Sequence, residues 1–353
     1  MLFKQAVDLK VLLTKVKQLT NNENLIVNLI GLQGIDDYKN AIIASEDEAI
    51  KKKYWSRGRF VFSSNANAEM CIWALNECYK FGTIDSYIEL LFHSRKMLQP
   101  VQIYEYIMKI HELHSNSRDT MTVYYLQEIL NIVQNSFLNE VEMCKKIAEL
   151  EWYCRNILEW EQMKCTQYMM KLYTTIYASI VKIIYKTDEK DEIDEKKANL
   201  VNKIYDGFKK AKFCPAEKNG KVKYEEIREW LEEFKKLLIT QKQDRLFDRI
   251  IGRLLSYSPL GEDGYMPCEA VRKIIEENFS ESLKNSYLIA EENKRGVHTV
   301  DAGKSEMILY EKYKSNAEAL QNKYPRTADI YFALSDFYKE QAEWERKRAE
   351  DEW

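Results

Sequence analysis

Asn139-Glu140-Val141-Glu142-Met143-Cys144-Lys145-Lys146-Ile147-Ala148-Glu149-Leu150-Glu151-Trp152-Tyr153 decides the fold class. Val141, Cys144, Ile147, Ala148 and Leu150 recur at intervals of three and four, the spacing of one buried helix face, with charged residues between them. Trp152, Tyr153 and Trp160 continue the apolar set, so the reading is one long helix over Asn139–Trp160. Neither proline nor glycine interrupts it.

The same grammar extends in both directions. The chain of 353 residues holds 5 Pro and 11 Gly, and up to Phe213 the only proline is Pro100. Proline breaks helices and glycine weakens them, so a chain nearly free of both reads as helix after helix on short connections. Leu9, Leu12, Leu13, Val16 and Leu19 share a face, and Asn21-Asn22 then breaks the pattern. No capping or entry segment precedes Phe3, which fits a chain that begins partway through an array. Further helices are expected over Asp36–Tyr54, Asn65–Phe81 (closed by Gly82), Ile84–Met97, Val101–His114, Asp119–Gln134 and Gln167–Tyr185. The charge run Thr187–Lys197 marks a boundary. Beyond it come Ala198–Phe213, a hairpin of Tyr224–Leu238 and Gln243–Tyr257, Cys268–Asn278 with Pro267 in its first turn, Ser280–Glu292, Glu306–Lys323 capped by Ser305, and Thr327–Ala349.

The expected fold is therefore all-α, with paired helices in an irregular α-solenoid of two contiguous parts, residues 1–186 and 187–353. No fixed repeat period recurs; the tetratricopeptide, ankyrin and leucine-rich signatures are absent from the sequence. A closed bundle is the competing arrangement.

Charge and cysteine usage narrow the functional classes. The net charge of −3 gives no global field for a phosphate backbone, so nucleic acid is disfavoured as a partner. Two short basic runs stand out, Lys51-Lys52-Lys53 with Arg57 and Arg59, and Lys209-Lys210 with Lys212. The 7 cysteines follow no framework spacing and fall in apolar helical patterns, which fits a reducing compartment. The first residues form no signal peptide, and no stretch approaches the ~20 apolar residues of a membrane span. We expect a cytoplasmic chain without membrane contact.

Catalytic signatures fail one by one. His111-Glu112-Leu113-His114 sets its histidines at i, i+3, not the i, i+4 that zinc requires. Gly303-Lys304-Ser305 mimics the end of a phosphate-binding loop, but the position of the earlier glycine is His298. Glu225-Glu226 and Glu232-Glu233 sit beside lysines on helix exteriors, and no Gly-x-Ser-x-Gly elbow exists. No cofactor or metal is expected. Cys268, near a helix amino terminus where a thiolate is favoured, is the cysteine that stands out, and His298 in a neighbouring loop is its conceivable partner.

The least helical segments, 258–268 and 293–304, are the candidate interaction loops, with Asp263, Cys268, Glu269, Arg272, Lys294, Arg295 and His298 as their functional residues. Arg272, Lys294, Arg295 and His298 have the chemistry to converge on an anion or an acidic partner. The bland reading is that these loops are structural connections.

Ser258-Pro259-Leu260-Gly261, Gly264-Tyr265-Met266-Pro267-Cys268-Glu269-Ala270-Val271-Arg272, Lys294-Arg295-Gly296-Val297 and Tyr324-Pro325-Arg326-Thr327-Ala328 resemble the carboxy-terminal region of large bacterial multidomain proteins. Lys52-Lys53-Tyr54-Trp55 and Leu150-Glu151-Trp152 extend the resemblance over most of the chain, and Met169–Tyr173 departs from it by lacking an aromatic pair. Some of those proteins look like ATPases or effector-bearing proteins linked to antiviral defence, with a helical-repeat tail. The resemblance implies a sensor or scaffold segment acting on a protein partner, with an effector or ATPase domain upstream in the same polypeptide. Two rival readings stand beside it: a helical enzyme with a site near Cys268, Arg295 and His298, and a nucleic-acid-binding helical protein using Lys51–Arg59.

Overall fold

Helix ends follow the local chemistry of the sequence. Asn67 accepts a hydrogen bond from the Met70 amide at 2.9 Å, and Thr83 and Ser86 bond reciprocally in a capping box. Pro100 opens its helix, where the missing amide proton costs nothing. In a computed structural model these signals resolve into an all-α protein, with no strand among the described residues. The structure describes residues 14–16, 18–19, 22–31, 48–57, 67–112, 120–155, 157–185, 195–296 and 301–351. Most of the expected helix over 9–19, the start of the one expected at 36–54, and His298 lie outside them.

The chain forms two compact units, Met1–Thr166 and Gln167–Trp353. The division falls ahead of the charge run at 187–197. In the first unit, α1 (Glu23–Gly31), α2 (Glu48–Ser56), α3 (Ala68–Phe81), α4 (Ile84–Ser94), α5 (Pro100–Glu112), α6 (Thr120–Phe137) and α7 (Val141–Tyr153) each pack on the next, and α4 also packs on α6. Trp55, Tyr87, Leu75, Ile88, Ile129 and Ile147 are fully buried between them.

The helix expected over Asn139–Trp160 stops at Tyr153. The chain turns back through residues 154–159 and makes a short 3-10 turn at Trp160–Gln162. That reversal brings the next helix onto Glu151. Fully buried on α7, Glu151 accepts hydrogen bonds from the Cys165 amide at 2.9 Å, the Thr166 amide at 2.7 Å and the Gln134 side chain at 2.7 Å. The first turn of a helix leaves amides without partners, and a carboxylate from another helix supplies them here.

The helix expected over Gln167–Tyr185 is two helices, α8 (Lys164–Leu172) and α9 (Thr174–Ile184), hinged at extended Tyr173. The Lys171 carbonyl accepts from the Ala216 amide at 3.0 Å, which satisfies the group the break releases.

The second unit continues with α10 (Glu195–Lys210), α11 (Tyr224–Thr240), α12 (Phe247–Ser256), α13 (Glu269–Asn278), α14 (Glu281–Lys294), α15 (Lys304–Leu320) and α16 (Pro325–Asp351). α9 packs on α10 and α11, α11 on α12 and α13, α12 on α14, and α16 on α13, α14 and α15. The α12–α14 crossing needs Gly252: a Cβ there would sit 2.3 Å from the Leu283 carbonyl oxygen. α15 and α16 approach as closely at Gly303, which has φ +81° and lies against the Ala342 backbone.

Two capping expectations change. Pro267 is not in the first turn of α13; it precedes Cys268, the cap residue, and follows a cis Met266–Pro267 bond. Ser305 does not cap α15 but lies inside it, donating its amide and hydroxyl to Asp301 at 3.1 and 2.5 Å. Among the described residues no helix is long and apolar enough to cross a membrane.

Candidate functional site

The segment 258–268 is a closed loop whose two ends are bonded together. The Cys268 amide donates to the Ser258 hydroxyl at 2.9 Å and the Pro259 carbonyl at 3.0 Å. Inside the loop, the Gly261 amide donates to the Tyr265 carbonyl at 2.9 Å, and Gly264 turns the chain at φ +82° with its amide on the Gly261 carbonyl. Gly261 is required by crowding, because a Cβ would lie 2.6 Å from Asp263 Oδ1 and 3.0 Å from an Arg272 nitrogen.

Arg272, from the first turn of α13, holds this loop. Its side chain is 0% exposed. It donates to Asp263 Oδ2 at 2.5 Å, to Asp263 Oδ1 at 2.8 Å and to the Tyr265 carbonyl at 2.7 Å. Its guanidinium carbon lies 5.4 Å from the centre of the Tyr324 ring. The planar fork of arginine matches a carboxylate in this bidentate way, whereas lysine would not. The Arg272 bonds hold the Asp263 carboxyl down at about 2, against the opposing effect of its partial burial. Glu269 closes the ring by accepting the Asp263 amide at 3.3 Å.

Cys268 is buried, and its side chain makes no capping bond to α13. Its neighbour Cys214 is fully buried too, and burial pushes the Cys214 thiol well above its ordinary value. Reactive cysteines need an exposed, electropositive setting that favours thiolate. His298, the expected partner of Cys268, lies outside the described residues.

The second loop has its own network, in which Lys294 and Arg295 take partners other than those of Arg272. Lys294 donates to the Ser256 carbonyl at 2.6 Å and to Glu291 at 2.5 Å, and so closes the end of α12. Glu291 also accepts from the Tyr313 hydroxyl at 3.3 Å. Arg295 pairs with buried Glu306. Carboxylate oxygens of Asp301, Glu306 and Glu345 lie within 4.8 Å of one another, a hard-oxygen set of the kind divalent cations take, with Arg295 already supplying a positive group. Sequence reasoning missed this trio because Glu345 is remote in the chain and nothing marks it as facing inward.

The first basic run is engaged by carboxylates and backbone. Lys51 pairs with Glu77 at 3.0 Å, Lys52 with Glu48 at 3.2 Å and Lys53 with Glu23 at 2.6 Å, while Arg57 donates to the Val27 carbonyl at 3.1 Å. Arg59 lies outside the described residues. The acidic pairs behave as surface: Glu226 lies between Lys218 and Lys223, and Glu232 is 3.8 Å from Arg228.

No family model, no curated protein and no solved structure matches the chain.

Proposed function

We propose that the chain is a non-catalytic, cytoplasmic interaction scaffold built as an irregular α-solenoid, and that the loop 258–268 is its docking contact for a protein partner. One observation carries the reading: a fully buried arginine holds an exposed loop in one conformation and presents Leu260, 61% exposed, on it. Holding a loop in its bound shape removes ordering costs from association, which is how a small apolar contact becomes useful. Asp263, Glu269 and Arg272 bond to one another and to the loop backbone, which supports a positioning role rather than acid–base chemistry.

The solenoid reading rests on helices that pack on the next and, repeatedly, on the next but one in the chain. Seven free, buried cysteines support a reducing compartment. The resemblance to bacterial multidomain proteins adds the proposal that an effector or ATPase domain lies upstream in the same polypeptide. The gene sequence immediately before Met1, read in frame, tests that addition.

The docking role is tested with Leu260→Asp, which changes an exposed side chain and leaves the Arg272 network intact. Proteins captured from the native host by the wild-type chain are identified, purified and titrated against both forms. We expect at least a ~10-fold loss of affinity for the variant, the scale of one well-placed apolar contact. Equal affinity of the two forms would remove the loop from the interface.

A further inference from the structure

The second basic run behaves unlike the first. Lys209 and Lys212 are exposed at and just beyond the end of α10, and the structure brings Arg253 of α12 against the same end. Arg253 donates to the Phe208 carbonyl at 2.8 Å and the Tyr177 hydroxyl at 3.0 Å, with its guanidinium 4.4 Å from the Phe208 ring centre. One turn earlier, exposed Arg249 donates to the Tyr185 hydroxyl at 3.1 Å. Exposed Arg245 lies a further turn back along the chain, and Lys242 sits beside Gln243, whose side chain donates to the Tyr185 carbonyl at 2.6 Å.

These six cations make no ion pair among the described residues, in contrast to Lys51, Lys52 and Lys53. α9 carries no carboxylate at all. Among the described residues, Asp206 on α10 and Asp244 in the turn before α12 are exposed acids, and Asp248 is engaged by the Ser280 hydroxyl at 2.7 Å; in the sequence the charge run 187–197, with both acids and lysines, follows Tyr185. Arg249 and Arg253, four residues apart on α12, lie about 6 Å apart along its axis, and Arg245 is in the 3-10 turn that precedes it. Tyr185 and Tyr205 sit half-buried among them, with Lys209 4.1 Å from the centre of the Tyr205 ring.

From this geometry we infer that the α10–α12 face is a binding stripe for the phosphate backbone of a single-stranded nucleic acid, with Arg245, Arg249, Lys209, Lys212 and Lys242 as phosphate contacts. Arg253 is a positioning residue: it closes the end of α10 from α12. Arginine forks suit phosphate oxygens, and aromatic rings interleaved with cations suit strands whose bases are free to stack. The inference goes beyond the scaffold reading and uses a different surface.

The test is fluorescence anisotropy of a labelled oligothymidylate of about twenty nucleotides on the full chain, across a series of salt concentrations. Saturable binding at low salt is expected, with the logarithm of affinity falling linearly against the logarithm of salt at about −0.7 per phosphate neutralised. Arg245→Glu with Arg249→Glu should weaken binding at least ~10-fold, with the helical circular dichroism and melting temperature of the wild type. Lys51→Glu with Lys52→Glu should bind like wild type. Should the charge reversals fail to fold, Arg245→Gln with Arg249→Gln should still make the salt slope shallower by about 1.4, which is two phosphate contacts. No saturable binding at low salt, or unchanged binding by the arginine variants, would overturn the inference. Displacement of the strand by oligoglutamate at matched charge would also overturn it and assign the stripe to an acidic protein segment.

Discussion

Glu151→Ala should lower the melting temperature of the first unit by about 10 °C, the largest single-site loss in that unit. The carboxylate is fully buried and bonded to the amides of Cys165 and Thr166 and to the Gln134 side chain, so truncation orphans three donors and leaves a void. Each orphaned buried donor costs about 1–3 kcal/mol, and the sum, after relaxation, is about 3–5 kcal/mol. For a unit of this size each kcal/mol moves the midpoint by about 2–4 °C. Glu151→Gln keeps the shape but offers one acceptor oxygen, and should cost about 1–2 kcal/mol.

The pH dependence of this group has a definite sign. Burial pushes the Glu151 carboxyl above its ordinary value, and its bonds to Thr166, Cys165 and Gln134 oppose that only in part. Its protonated form is therefore favoured by folding. The contribution is fully present below the ordinary carboxylate range and is lost as pH rises through the raised value. Comparing wild type with Glu151→Gln by thermal unfolding across that window isolates the effect, because glutamine does not titrate.

Arg272→Met should cost about 2–3 kcal/mol, below the range for a fully buried pair because Asp263 is half-exposed. The variant removes one of the two donors to the Tyr265 carbonyl, leaves it the Gly261 amide alone, and frees the loop. Here the pH sign is opposite to that of Glu151. Asp263 is held at about 2, so its contribution is present above the ordinary aspartate range and is lost as pH falls from ~4 through ~2. Denaturant midpoints over that window should fall more steeply for wild type than for Arg272→Met. Parallel curves would mean that the Asp263–Arg272 pair does not contribute to folding.

The helices were legible because apolar spacing is a local property, as is the stop at Gly82. Helix breaks were not, where tertiary bonds stabilise them. Nothing near Tyr173 signals a hinge, because the group that stabilises it is the Ala216 amide from another segment. The long reading of Asn139–Trp160 failed for a similar reason, since the aromatic residues beyond Tyr153 serve a turn as well as they would a helix. For the candidate site, the glycines and prolines marked segment 258–268 as a loop, but the role of Arg272 was hidden. An arginine in a helical pattern reads as surface unless its carboxylate partner is known to reach it. The arginines at the α10–α12 face were hidden likewise, since four-residue spacing of Arg249 and Arg253 on α12 is equally that of a solvated helix face.

The docking role requires that Arg272 hold the loop 258–268 rigid before any partner arrives. Hydrogen exchange of the free chain, resolved to the Gly261, Gly264 and Cys268 amides, tests it most directly. All three are hydrogen-bonded within the loop, and slow exchange is expected in wild type, with rapid exchange of Gly261 and Gly264 in Arg272→Met. Exchange of those two amides at unprotected-peptide rates in the wild-type chain would contradict it.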